Sequence, residues 1–250
     1  MMLERFRVLP ESVLKIAAVL SMAIDHVGAA ILLPYVSYLF QTGAPQAEEM
    51  YQVYWVVRDI GRLAFPIYCY LLTEGFFHTR SRIKYARNLF LFALLSEVPF
   101  DLAINQKVFD WESQNVYWTL LFGLLGMMLM QKIWETDWQI ALKGILMGTV
   151  AAGFCALGYV CHTDYDAWGV ATVLVMYVMR RFRLIGFAAG VLLLIWMSEV
   201  EVYALFALPL VFLYNGERGK QKKWFFYAFY PAHFLVLYAV FCFFQTRMMS

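Results

Sequence analysis

Apolar positions in this chain fall in long blocks, without the spacing of a half-buried helix or strand. The blocks cover 12–33, 61–77, 88–105, 115–134, 138–160, 165–179, 183–199 and 224–245, and a shorter one covers 202–214. A helix of about 20 apolar residues crosses the bilayer hydrocarbon, where backbone groups must be satisfied internally. The pattern therefore predicts an all-α, polytopic integral membrane protein of about nine transmembrane helices. Tyr51 to Val57 reads as an interfacial half-turn or an extension of the second span. The first block has no small-residue cleavage site behind it, so it reads as a span and not as a removable signal. No linker, heptad run or repeat divides the chain, which predicts one membrane domain over residues 1–250.

Charge sets the expected orientation. The net charge of +2, from 20 basic and 18 acidic residues, says little as a sum, but the basic residues fall in alternate loops. Arg5 and Arg7 precede the first span, and Arg80, Arg82, Lys84 and Arg87 follow the second. Lys132 follows the fourth, Arg180, Arg181 and Arg183 the sixth, and Arg218, Lys220, Lys222 and Lys223 the eighth. The intervening loops carry Glu48, Glu49, Asp110, Glu112, Asp164, Glu199 and Glu201, with Lys107 the main basic exception. Because cytoplasmic loops collect Lys and Arg, the N-terminus is expected in the cytoplasm and the C-terminus outside.

Composition agrees. Hydrophobic residues are 62% of the 250 and charged residues 15%, against about 25% charged in soluble domains. That excludes dinucleotide-binding folds, disulfide scaffolds and nucleic-acid modules. The four cysteines form no CxxC pair and no cluster of metal-ligand spacing, so no metal is expected.

Candidate chemistry lies in the polar residues that interrupt the apolar blocks, since a charge at mid-membrane costs about 2.5–3.5 kcal/mol unless paired or solvated. Asp25 and His26 fall in the first span, Arg58, Arg62 and Glu74 in or beside the second, and Glu97 and Asp101 on one face of the third. Asn115 and Thr119 open the fourth, and Asp164 precedes the sixth. With spans one and three running outward, His26, Arg62, Asp101, Asn115 and Asp164 come out in the outer half, where an outward-opening polar chamber would gather them. Arg58, Asn115, Thr119 and Asp164, together with Glu74 near the inner end of the second span, are the candidates for binding a substrate. On the inner side, Asn215, Gly216, Arg218 and Lys220 form a glycine-containing basic loop suited to phosphates, although it lacks the GxxxxGK[ST] spacing of a P-loop. Just beyond lie Tyr230, Pro231 and His233, less than halfway through the last span from its inner end.

Taken together and in order, AIDHVGA around Asp25, RDIGRLAFPIYCYLLTEGFFHTR from Arg58, LLSEVPFD from Leu94, NVYWTLLFGLL from Asn115, YNGERG from Tyr214 and KWFFYAFYPAH from Lys223 resemble the TraX family over nearly the whole chain. That family takes its name from a conjugation protein that acetylates the pilin N-terminus, and it resembles the wider group of multi-span membrane acyltransferases. The resemblance falls on Asp25, His26, Arg62, Pro66, Glu74, Gly75, Glu97, Pro99 and Asp101, then on Asn115, Thr119, Gly123, Asn215, Gly216, Arg218, Gly219, Tyr230, Pro231 and His233. It departs at Asp164-Tyr165-Asp166, where the family pattern is DYG and glycine is delayed to Gly169. It implies a multi-pass protein of the bacterial inner membrane that takes acetyl from acetyl-CoA to an amine or hydroxyl acceptor, a pilin or another envelope substrate. The partners implied are acyl-CoA, an extracytoplasmic or membrane-embedded acceptor and the lipid bilayer, with no nucleic acid, and the chain could work alone or as a homodimer.

Such a transfer needs a base and a donor to the tetrahedral oxyanion. Histidine exchanges protons near neutral pH, which makes His26 and His233 the candidates for base, with His233 also a candidate oxyanion donor. Asp25 projects about 100° from His26 on a helix, so it is expected to bind Arg62, leaving Glu97 or Asp101 to hold the imidazole. Asn215, Gly216, Arg218, Lys220 and Tyr230 are expected to bind the donor. A secondary transporter would use the same intramembrane charges, but the chain shows no inverted repeat. A non-catalytic assembly factor would leave the polar chamber without a use.

Overall fold

The computed structural model describes residues 6–220 and 223–248, so Arg5 and Lys222 among the loop cations counted above lie outside it. Its described residues form helices, and no strand longer than an isolated bridge. Eleven α-helices succeed one another: α1 Glu11–Val27, α2 Leu33–Gln41, α3 Ala47–Gly61, α4 Ala64–His78, α5 Arg82–Phe100, α6 Val116–Trp134, α7 Ile140–Val160, α8 Asp166–Val178, α9 Arg183–Met197, α10 Leu208–Leu213 and α11 Lys223–Met248. A π-helical turn, Gly28–Leu32, joins α1 to α2 into one 31-residue helix, and a second, Asp101–Asn105, extends α5. The long first helix opens with Glu11 paired to Lys15 at 2.6 Å. It ends at Gly43, whose φ of 67° lets the Gly43 and Ala44 amides reach back to the carbonyls of Phe40 and Leu39.

Among the described residues, five helices are long and apolar enough to cross a membrane: Glu11–Gln41, Arg82–Asn105, Val116–Trp134, Ile140–Val160 and Trp224–Thr246. This is fewer than the nine expected. The blocks at 61–77, 165–179 and 183–199 become helices of 15, 13 and 15 residues, each rising about 20–23 Å at 1.5 Å per residue. The block at 202–214 is not one helix, since a 3-10 helix Glu199–Ala207 leads into the six residues of α10. Apolar content alone cannot separate such segments from spans, because α8 has seven buried residues and owes its apolar sequence to protein neighbours. Conversely, α3 is a separate helix of 15 residues that includes Tyr51 to Val57, where an interfacial half-turn or an extension of the second span was expected. In α7 the most apolar 18-residue stretch has no buried residue at all. A helix apolar all round whose side chains stay unburied is suited to lipid.

The chain divides into two compact units. The first comprises residues 1–67, 95–110 and 203–250, and in it α1, α2 and α3 pack with the π-turns and α11. The second comprises 68–94 and 111–202, where α6, α7, α8 and α9 pack side by side. Small residues set the spacing there: a Cβ at Gly123 would lie 2.7 Å from Val173, and one at Gly190 2.7 Å from Met176. Such close contact drives helix association where the surroundings are as apolar as the side chains.

Candidate functional site

The site is built in the first unit, from α1, α3 and α11. Asp25 and His26 are neighbours near the end of α1, and the 100° helical step sends them to different partners. Asp25 turns to α3 and accepts from Arg58 Nη1 at 2.7 Å and from Arg62 Nη2 at 2.6 Å. Arg58 and Arg62 stand one turn apart, and Arg62 Nε also donates to the Arg58 carbonyl at 3.1 Å. The crossing is close because Gly61 has no side chain: a Cβ there would fall on the Asp25 carboxylate and its Cβ. Ser21, one turn before Asp25, donates to the carbonyls of Ile60 at 2.7 Å and Gly61 at 3.1 Å. One carboxylate thus lies between two guanidiniums.

His26 turns to α11. Its Nδ1 lies 2.7 Å from His233 Nε2, with ring planes 17° apart and centroids 4.9 Å apart. So short an N···N distance between nearly parallel rings fits an in-plane N–H···N bond and not a face-to-face stack. The tautomers are fixed by the next partner. His233 Nδ1 lies 3.0 Å from the Phe229 carbonyl, which can only accept, so in neutral His233 the proton is on Nδ1 and Nε2 is an acceptor. His26 Nδ1–H must then donate to it, which leaves the lone pair of His26 at Nε2. Among the described residues that nitrogen has no hydrogen-bond partner.

Aromatic rings hold the pair. Phe234, fully buried, has its centroid 4.5 Å from His26 and 4.3 Å from His233. Phe229 lies parallel to His233 at 5.2 Å, and buried Tyr230 stands 6.1 Å from His26 and 5.6 Å from His233. Phe100 packs edge-on to Phe234 at 5.5 Å. Pro231, inside α11, cannot donate to the carbonyl of Tyr227, one turn back. No group of three or more His, Cys, Asp or Glu placed to hold a metal occurs among the described residues.

Several expectations change. The imidazole of His26 is held by His233 and not by Glu97 or Asp101. Asp101 is buried and binds its own loop, accepting from Asn105 Nδ2 at 3.0 Å and the Asp110 amide at 2.8 Å. Glu97 is also buried but is no partner of His26. His233, with both ring nitrogens engaged, is not available to an oxyanion. Arg58, read as a substrate residue, shares the Asp25 carboxylate with Arg62.

Asn115, Thr119, Asp164 and Glu74 belong to the second unit. Asn115 is fully buried and caps α6, accepting from the Tyr117 amide at 3.1 Å and donating to the Ala93 carbonyl at 2.8 Å. A capping asparagine needs no ligand. The Thr119 hydroxyl is buried without a hydrogen-bond partner among the described residues. Asp164 is exposed, and the carbonyl of half-buried Glu74 receives His78 Nδ1 at 2.8 Å. Asp166, where the family pattern has glycine, has a φ of 45°, a conformation that glycine adopts freely.

The basic loop lies against the start of α1. Leu9 and Glu11 donate backbone hydrogen bonds to Leu213 and Glu217, and Asn215 donates to Leu9. The Asn215 side chain accepts from the Glu217 amide at 2.8 Å. Gly216 and Gly219 have φ of 85° and 66°, and a Cβ on Gly219 would strike Ser12. Arg218 and Lys220 are exposed. Sequence reasoning missed Phe234, Phe229 and Ser21, whose residue types do not stand out in a chain so rich in aromatics. The glycine of RDIGR was the one available signal for the α1–α3 crossing.

Five helices long and apolar enough to cross a membrane, with a histidine pair and an Asp–Arg cluster in the first unit, define a helical membrane protein that carries proton-exchanging groups. The family described as "TraX protein" matches residues 11–241, and the chain belongs to that family. A "Probable fimbrial assembly protein FimC, serogroup H1" from Dichelobacter nodosus is 26% identical over 250 residues, spanning 90% of this chain and 92% of that protein. No solved structure matches the chain.

Proposed function

We propose that this protein is a membrane-bound acetyltransferase that moves an acetyl group from acetyl-CoA to an amine or hydroxyl acceptor, with His26 Nε2 as general base. The observation that carries the reading is the His26–His233 bond, which holds one imidazole by Nδ1 and leaves the lone pair at the other nitrogen. In the reaction His26 Nε2 takes the acceptor's proton as its nitrogen or oxygen attacks the thioester carbonyl. The tetrahedral intermediate collapses with cleavage of the C–S bond, and the His26 Nε2 proton passes to the leaving sulfur, giving acetylated acceptor and CoA. His233 acts through His26, since its Nε2 receives the Nδ1–H of the imidazolium that forms. The Arg58 and Arg62 guanidiniums beside His26 favour negative charge developing on the intermediate.

Arg218 and Lys220 are suited to the donor's phosphates. Membership of the TraX family supports an acetyl donor, and the fimbrial assembly name of the Dichelobacter protein supports a pilin or other envelope acceptor. The distribution of Lys and Arg favours an N-terminus in the cytoplasm, and membership of the TraX family supports the bacterial inner membrane as the location.

Purified protein given radiolabelled acetyl-CoA and a mixture of amine and hydroxyl acceptors tests the reading. His26→Ala should lower the chemical rate by about 10²–10⁴-fold with donor affinity within a few-fold, the scale of general-base catalysis. His233→Ala should lower it less, because a misoriented base remains. Full turnover in a folded His26→Ala variant would overturn the mechanism. Acetyl-CoA binding without any transfer in the parent would favour an assembly factor without turnover.

A further inference from the structure

Within the second unit, the C-terminal ends of α4, α6 and α8 meet around Tyr177. Its ring is edge-on to Phe76 at 5.5 Å and parallel to Phe77 at 5.8 Å, and its hydroxyl donates to Gln131 at 2.9 Å. Two guanidiniums cover this aromatic floor. Arg82 Cζ lies 4.1 Å from the centre of the Phe76 ring, and Arg180 Cζ 3.7 Å from the centre of Phe77.

Basic residues beside a membrane need no ligand to account for them, but these two differ from ordinary loop cations. Each sits over a ring, a cation–π contact that limits where its N–H groups can point. Neither has an ion-pair partner among the described residues, whereas Arg58 and Arg62 share Asp25. Arg82 spends one donor, Nε, on the Phe76 carbonyl at 3.5 Å, and Arg180 spends none. Glu135, reached from Tyr177 through Gln131, accepts from Gln131 Nε2 at 2.7 Å. The floor is thus closed by its own hydrogen bonds, while the two forks above it stay open.

Preorganised, unpaired guanidinium edges match the geometry of phosphate oxygens. We propose that Arg82 and Arg180 form a phosphate-binding site at this end of the second unit. The phosphate belongs to an anionic phospholipid headgroup or to acyl-CoA. Only the acyl-CoA source rests on the acetyltransferase reading.

The test uses the full chain and two probes: retention of phosphatidylglycerol against phosphatidylcholine, by native mass spectrometry from mixed nanodiscs, and equilibrium binding of radiolabelled acetyl-CoA. Arg82→Gln with Arg180→Gln should weaken at least one probe by about 10-fold or more, the scale of lost charge-assisted hydrogen bonds. Arg87→Gln with Arg181→Gln removes the same charge from exposed side chains that lie on no ring, and should stay within about twofold of the parent. Phe77→Leu, which keeps both charges but removes part of the floor, should reproduce some of the loss. Loss of phosphatidylglycerol alone identifies a headgroup site, and loss of acetyl-CoA alone a donor site. Equal losses in the two double variants would reduce the site to a diffuse positive surface and overturn it. So would unchanged binding of both probes, or a parent that retains neither. Thermal unfolding in the same detergent establishes that the variants are folded. Neither probe depends on turnover, so an inactive protein would sink the acetyltransferase reading without touching this one.

Discussion

At the scale of single residues, the consequential contrast is between Asp25 and His26, adjacent in sequence but bound to different helices. Asp25 is buried between two arginines, so deleting it removes the carboxylate that both guanidiniums bind. Asp25→Ala should destabilise the protein by about 3–5 kcal/mol, as expected when one partner of a buried ion cluster is removed. Replacing all three, with Asp25→Leu, Arg58→Met and Arg62→Met, should recover much of that loss, because the guanidiniums that would lose the Asp25 carboxylate are replaced with it. Thermal unfolding in one detergent compares them, and a triple variant as unstable as the single one would show that packing and not charge dominates. The residue types were legible in the sequence, and so was the Asp25–Arg62 pair. The His26–His233 bond was not, because 206 residues separate the two in the chain and nothing local signals such a contact.

Among the elements, the α1–α3 crossing positions the carboxylate. Gly61 admits the Asp25 side chain and Ser21 fastens the two backbones, which together set the depth at which Arg58 and Arg62 meet Asp25. Gly61→Ala should therefore cost more than its size suggests, about 1–3 kcal/mol of overpacking, and displace the ion cluster with it. Gly148→Ala, on α7, would meet nothing within 4 Å and should be neutral or slightly stabilising through helix propensity. Comparing the two variants by thermal unfolding checks this, and equal effects would refute the close-approach argument. The two π-turns, Gly28–Leu32 and Asp101–Asn105, lie beside α11 near the histidines. An extra residue in a helical turn rotates the face that later turns present, which no hydropathy pattern reveals.

For the molecule as a whole, orientation is the quantity that charge predicts. In a background without the four native cysteines, Ser81→Cys and Lys220→Cys should react with an impermeant thiol reagent only from the cytoplasmic side, and Glu112→Cys only from the other. Reaction of Lys220→Cys from outside would move the proposed donor loop to the wrong side of the membrane for cytoplasmic acetyl-CoA. The count of spans was less legible than their existence. Block length in sequence is a measure of how long a chain stays apolar, and a helix stays apolar equally well with its main apolar stretch left unburied, as in α7, or buried against protein, as in α8.

Composition and patterning were enough to establish a helical membrane protein, and the ordered motifs were enough to place it beside the TraX family, because both are properties of the chain read one residue at a time. They also named both histidines. Which groups pair was settled only by folding: His26 to His233 and not to Asp101, Asp25 to both arginines, Asn115 to the end of α6, and Arg82 and Arg180 onto rings of α4. Each pairing depends on which helix faces which and on their crossing distance. Both are set by small residues such as Gly61, and by helical turns that a linear apolar pattern averages away.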